Sequence, residues 1–142
     1  MDIVAISAAL AAKYLGVSAN GETIGTSTEQ IPTGLPTLPC VLVFPPTVDI
    51  AFGTGMRTVD LAYKVDLFDR ELVSDPTDYT GLNAWLTALA DVLLTGQSLG
   101  GLVTYARTDR MKPGAIVFDG AERLGIEIDI SVHLSEPVST TA

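Results

Sequence analysis

From Arg57 to Phe68 apolar and polar positions alternate without a break. Val59, Leu61, Tyr63, Val65 and Leu67 fall on one phase, and Thr58, Asp60, Ala62, Lys64 and Asp66 on the other. Side chains of a strand point to alternate faces, so this period of two predicts a half-buried β-strand. At about 3.3 Å per residue it spans roughly 40 Å, the full width expected of a compact chain of this length. The rest of the chain must therefore pack against its sheet. A second run near the end is as regular: Leu124, Ile126, Ile128, Ile130, Val132 and Leu134 alternate with Arg123, Gly125, Glu127, Asp129, Ser131 and His133.

Between these markers the pattern predicts further strands. Leu38–Phe44 is apolar on both phases and reads as a central strand closed by Pro45-Pro46. Val48, Ile50 and Phe52 alternate with Asp49 and Ala51, and Gly53-Thr54-Gly55 can turn that segment into a hairpin with the long strand. Leu102–Arg107 and Ala115–Phe118 read as short strands separated by a charged turn at Thr108–Pro113, and Asp119-Gly120 turns the chain again. The polar tail, residues 135–142, is expected to fray.

Two segments carry helical periodicity instead. Asp2 can cap a first helix whose Ile3, Ile6, Leu10 and Tyr14 form a stripe continued by Val17, with Gly16 as its stop. Ala8, Ala9, Ala11 and Ala12 make the remainder of that helix small and uncharged. It is therefore either covered on several sides within the fold or in contact with another subunit. Asp75-Pro76 suits the start of a second helix, with Asp78 in its electropositive first turn and Leu82, Trp85, Leu86, Leu89 and Leu93 on one face as far as Gly96. The result is one α+β domain, residues 1–142, in the order α-β-β-β-α-β-β-β, with a mainly antiparallel sheet of long alternating strands.

Residues 18–38 fit neither period. Ser18-Ala19-Asn20-Gly21 is turn chemistry, and Pro32, Gly34 and Pro36 interrupt regular structure. Some twenty irregular residues are unusual in a compact domain. They read either as a mobile surface loop or as an arm that grips a neighbouring subunit. In the second case Ile24, Ile31 and Leu35, with Ala8 and Ala12 of the first helix, are the candidate contact residues.

Composition narrows the function. Eight Lys plus Arg against 17 Asp plus Glu give a formal charge of −9. No basic cluster is present to neutralise phosphates, so tight nucleic-acid binding is not expected. No apolar run reaches the length of a membrane span, and Met1-Asp2-Ile3 lacks the positive flank of a secretory signal. The lone Cys40, inside an apolar run, reads as a small buried hydrophobe, which leaves no disulfide framework or cysteine-rich zinc site. Synthesis in a reducing cytoplasm follows.

Candidate chemistry is sparse. Gly96-Gln97-Ser98-Leu99-Gly100 matches G-x-S-x-G, and Asp119, Asp129 and His133 follow in hydrolase order. The nucleophile elbow, however, needs a strand entering and a helix leaving, whereas here a helix enters and a strand leaves. His133 sits on the polar phase of the last strand and reads as a solvated or interface residue. The acids at 66, 69, 71, 75 and 78 lack the D-x-D-x-D-G spacing of a calcium loop and read as solvated or helix-start charges. With no Walker motif and no dinucleotide fingerprint, no cofactor, metal or catalytic residue is expected.

An irregular Pro/Gly loop runs into Leu-Pro-Cys-Val-Leu-Val-Phe-Pro-Pro. The long strand Val-Asp-Leu-Ala-Tyr-Lys-Val-Asp-Leu-Phe-Asp-Arg follows, then a Leu/Trp-rich helix, Arg107-Thr-Asp-Arg110 and a final strand to pair with the first. Over most of its length this ordered pattern resembles the tail terminator (tail-completion, head–tail joining) proteins of long-tailed phages. The resemblance implies a structural virion protein and not an enzyme. It further implies a hexameric ring that caps the tail tube, joins it to the head through a connector or stopper protein, and leaves a channel through which DNA passes without specific binding. An acidic lumen suits such a conduit, since it repels phosphates and prevents counterion release. Another head–tail connector or minor tail protein of similar fold, a small hydrolase using Ser98, and a binding module unrelated to phages are the alternatives.

Overall fold

The computed structural model describes residues 1–71, 77–95 and 97–138. Its elements are α1 (Ile3–Tyr14), β1 (Ser18–Ala19), β2 (Glu22–Thr23), β3 (Thr26–Thr28), β4 (Cys40–Val43), β5 (Thr47–Gly53), β6 (Met56–Glu71), α2 (Thr77–Ala90), β7 (Tyr105–Phe118) and β8 (Ala121–Pro137). This is an α+β fold with a mainly antiparallel sheet, and the order read from the sequence fits it. β1 and β2 pair only with each other. The large sheet runs β3-β4-β6-β8-β7, with β5 also paired to β6. β4 and β5 share one edge of β6. β4 pairs with Val65–Phe68, and β5 with Met56–Ala62. Pro45-Pro46 falls at the step between them, where proline's missing N–H does least harm.

The core lies on one face of this sheet. β6 contributes Val59, Leu61, Tyr63, Val65 and Leu67, and β8 contributes Ile126, Ile128, Ile130, Val132 and Leu134. Both helices cover this face. α1 is capped by Asp2, whose carboxylate accepts from Ala5 N, and it buries Ile6, Leu10, Ala11 and Tyr14. Ser7 Oγ and Tyr63 Oη, 2.8 Å apart, form a buried hydrogen bond between α1 and β6. α2 buries Leu82, Trp85 and Leu89, with Leu93 in the turn beyond it. A smaller cluster occupies the opposite face at one end of the sheet. Cys40, Leu42, Phe68 and Ile116 are buried there under Leu35, Leu38, Phe44 and Phe118. The Phe68 and Phe118 rings meet edge to face at 5.8 Å. Burial pushes the Cys40 thiol up to about 11, against a small opposing pull from Arg123, which keeps it protonated and inert.

Several local expectations are corrected. Thr108–Pro113 is not a turn. It is the middle of β7, which carries a bulge at Asp109. Asp66 and Asp69 are not solvated loop charges but buried residues of β6. Asp69 is the extra residue of a second bulge, between Phe68 and Arg70, and it keeps the inward phase of Val65 and Leu67. There it accepts from Trp85 Nε1 and from Arg70 Nε, both at 3.0 Å, and so ties α2 to the sheet. The tail expected to fray from residue 135 is strand through Pro137, and Val138 N still donates to Gly55 O. The expected start of the second helix at Asp75-Pro76, its stop at Gly96 and residues 139–142 lie outside the described residues.

Candidate functional site

The candidate arm divides in two. Residues 18–28 are folded onto the domain. Asn20 and Gly21, with φ of 56° and 76°, make the left-handed turn between β1 and β2, the conformation for which an Asn-Gly pair is best suited. The chain then doubles back so that Gly16 N donates to Ile24 O and Ile24 N to Val17 O. Ser27 Oγ donates to Ala11 O, and Asn20 Nδ2 to Gly81 O. Ile24, expected at a subunit contact, is 1% exposed in the domain's own core. Thr26–Thr28 pairs in parallel with β4, so this part of the arm extends the sheet. Beyond it, Ile31 is 40% exposed, whereas Leu35 is half-buried against the smaller cluster. Ala8 and Ala12 are exposed on the outer side of α1, on a stripe with Val4, which is 77% exposed, and Leu15.

The structure adds a surface that sequence reasoning did not single out. β5 pairs with β6 along one side and with no other described strand. Val48 lies opposite Leu61 and Ile50 opposite Val59. Directly paired residues share a face, so Val48, Ile50 and Phe52 continue the core face past the reach of the helices. All seven residues of β5 are exposed, Phe52 to 72%. A groove of about 230 Å³ lies between α1 and the start of the Pro45-Pro46 step, with Ile3, Val4 and Val43 on its apolar side and Glu29 and Gln30 on its polar side. The other long edge, β7, is guarded by its bulge, Arg107, Arg110, Lys112 and Pro113. Charges, proline and bulges are the usual means of stopping strand edges from pairing with other chains. β5 has only Asp49.

Beside β5, on the face away from the helices, lies a cavity of about 590 Å³. Phe44, Pro45 and Ala62 give it apolar walls, and Lys64, Asp66 and Asp129 give it charge. Asp66 is 8% exposed, and its Oδ1 has no hydrogen-bond partner among the described residues. Burial, with the neighbouring carboxylates of Glu127 and Asp129, pushes Asp66 up to about 6 from an ordinary 3.8, against the pull of Lys64. A folded-state value above the unfolded one means that the native protein holds this proton more tightly. Its contribution to stability is therefore fully present below about pH 4 and is lost as pH rises toward 6. Asp66→Asn should accordingly stabilise the protein at pH 7.5 by about 2–3 kcal/mol and by almost nothing at pH 4, as read from urea unfolding at the two values. Equal effects at both would contradict the buried, ionisable setting.

The residues of the hydrolase-like motif are dispersed. Ser98 is exposed in a turn, where its Oγ accepts from Gly101 N at 3.3 Å. Gly96 lies outside the described residues. His133 Nδ1 is 2.7 Å from Asp60 Oδ1, and its ring stacks on Tyr105, so it is half-buried in a strand-face contact instead of standing free. Asp129 pairs with Arg110 at 3.3 Å, and Asp119 occupies the turn between β7 and β8. Among the described residues no group of three or more His, Cys, Asp or Glu converges as metal ligands, and no helix is long and apolar enough to cross a membrane.

No protein-family model and no curated protein matches the chain.

Proposed function

We propose that this chain is a structural virion protein of the tail terminator kind. It associates with copies of itself into a ring, six by the family resemblance, that caps a tail tube and joins it to the head. The observation that carries this reading is β5, an unguarded strand edge whose Val48, Ile50 and Phe52 face solvent on the core side of the sheet. Its outer N–H and C=O groups, paired with no other described strand, and its uncovered side chains suit strand addition or an apolar contact with a neighbour. If the neighbour meets β5 with a different surface, the contact is heterologous, and heterologous contacts with a closing rotation make rings. Val4, Ala8 and Ala12 on α1, with Ile31 from the arm, provide further uncovered apolar surface for that contact or for the tube. The net charge of −9 suits a channel that lets DNA slide. A connector or minor tail protein of similar fold would use the same surface. The hydrolase alternative is less well supported, because Ser98 follows α2 instead of opening a helix and His133 is engaged by Asp60.

The double variant Ile50→Lys, Phe52→Glu tests the reading. Both positions are exposed, so the monomer should keep its stability to within about 1 kcal/mol. Mass photometry should show the wild type in a multi-subunit species and the variant as monomer. A variant that assembles as well as the wild type would remove β5 from the interface.

A further inference from the structure

We infer that the cavity centred on Asp66 is a binding site for a guanidinium group, presented by an arginine side chain or by a free guanidino compound. The site is built and not merely acidic. Asp66 stands on β6 with Leu42 of β4 opposite it on one side and Glu127 of β8 on the other. Asp66 is 8% exposed, and its Oδ1, closed off from solvent, lacks a partner among the described residues. Leaving a buried carboxylate oxygen unsatisfied is costly, and a cation held on the cavity side of the same carboxylate would offset part of that cost.

The neighbouring charges do not relieve it internally. Asp129 is engaged by Arg110. Asp109, also on the cavity wall, is engaged by Arg107 and by the Ser131 hydroxyl. Lys64 faces the same cavity and is exposed, yet it makes no ion pair within 4 Å among the described residues. Of the charged side chains lining the space, Asp109 and Asp129 are offset by their arginines, so the attraction for an entering cation comes from Asp66, the one lining carboxylate with no ion pair among the described residues.

Guanidinium fits this lining better than ammonium does. Phe44 and Pro45 form an apolar wall beside the acid. A planar, weakly hydrated cation can stack on such a wall while its fork donates to the carboxylate. An ammonium ion would keep more of its water and would gain less from the wall. The site stands independently of the ring. In an assembly an arginine of another chain could fill it, and in isolation a soluble guanidino compound could.

The test is titration of the ¹⁵N-labelled full chain with Nα-acetyl-arginine amide at pH 7.5, followed by amide chemical shifts. Nα-acetyl-citrulline amide, the neutral isostere, is the control. Saturable shifts at Lys64, Asp66, Asp129 and Ser131 are expected with the arginine probe, with binding at least about tenfold weaker for citrulline and for Asp66→Asn. Asp66→Asn is nearly isosteric and should fold, and its amide spectrum away from β6 verifies this. Equal binding of the two probes, or equal binding by the variant and the wild type, would overturn the assignment, as would an absence of saturable shifts in the unassembled chain. The assembled protein separates the two sources. If a neighbour's arginine occupies the site, the probe is excluded there and Asp66→Asn weakens assembly. If the ligand is free, the probe binds both forms equally. A chain that stays monomeric and still binds the probe retains the site while contradicting the ring.

Discussion

Gly125→Ala is expected to cost at least about 3 kcal/mol and to leave little folded protein at 37 °C. Gly125 lies opposite Phe68, beside the bulge in β6. A Cβ built there would sit 1.9 Å from Leu67 O and 3.0 Å from both Leu67 C and Ile116 Cδ1. The nearest obstacle is backbone and not the end of a flexible chain, so relief requires β6 and β8 to separate. That separation would break ladder hydrogen bonds between the two longest strands and disturb both clusters, since Leu67 belongs to one and Ile116 to the other. Urea unfolding of the two proteins measures the effect. A loss below about 1 kcal/mol would show that the strands do not approach this closely.

Trp85→Ala should be the most damaging change in the helices, at about 3–5 kcal/mol. Trp85 is the largest of the fully buried side chains, and its indole N–H satisfies the carboxylate of Asp69. The truncation therefore opens a cavity and also removes a donor from a buried acid. Trp85→Phe separates the two effects. It retains most of the volume and should cost about 1–3 kcal/mol through the lost donor. Equal losses in the two variants would assign the whole effect to the hydrogen bond, whereas a neutral Trp85→Phe would show that Arg70 alone suffices for Asp69.

The parts of the fold legible in the sequence are those where one face is buried along an unbroken strand. In β6 from Val59 to Leu67, and in β8 from Leu124 to Leu134, the phase never changes, and the alternation reads directly as inside and outside. β7 was not legible because its bulge changes the phase. Ala106 and Thr108 lie opposite the core residues Val132 and Ile130, but after Asp109 it is Met111 and Pro113 that lie opposite Ile128 and Ile126. A strand whose pattern shifts midway, at Arg107, Asp109, Arg110 and Lys112, resembles a charged turn when only period is counted. Asp69 is a different case: it continues the core phase of Val65 and Leu67, and only its contact with Trp85, remote in sequence, explains a buried acid there.

The candidate surfaces depend on contacts remote in sequence. The alternation of Val48, Ile50 and Phe52 was visible, but its exposure follows from β5 having a single neighbour and from the helices ending short of it. The burial of Asp66 comes from the strands on either side of it and from the Phe44–Pro45 wall of the cavity. For Ile24 a local signal existed. Asn20-Gly21 favours a tight left-handed hairpin, which returns Ile24 to the core next to α1 and leaves only Ile31, with part of Leu35, for an outside contact.

Negative-stain electron microscopy of the purified chain at micromolar concentration tests the central proposal most directly. The expected result is class averages of closed rings, near six subunits, with a stain-filled central hole, lost in Ile50→Lys, Phe52→Glu. A population of single compact particles, unchanged when the concentration is raised to that of an assembling virion, would contradict it.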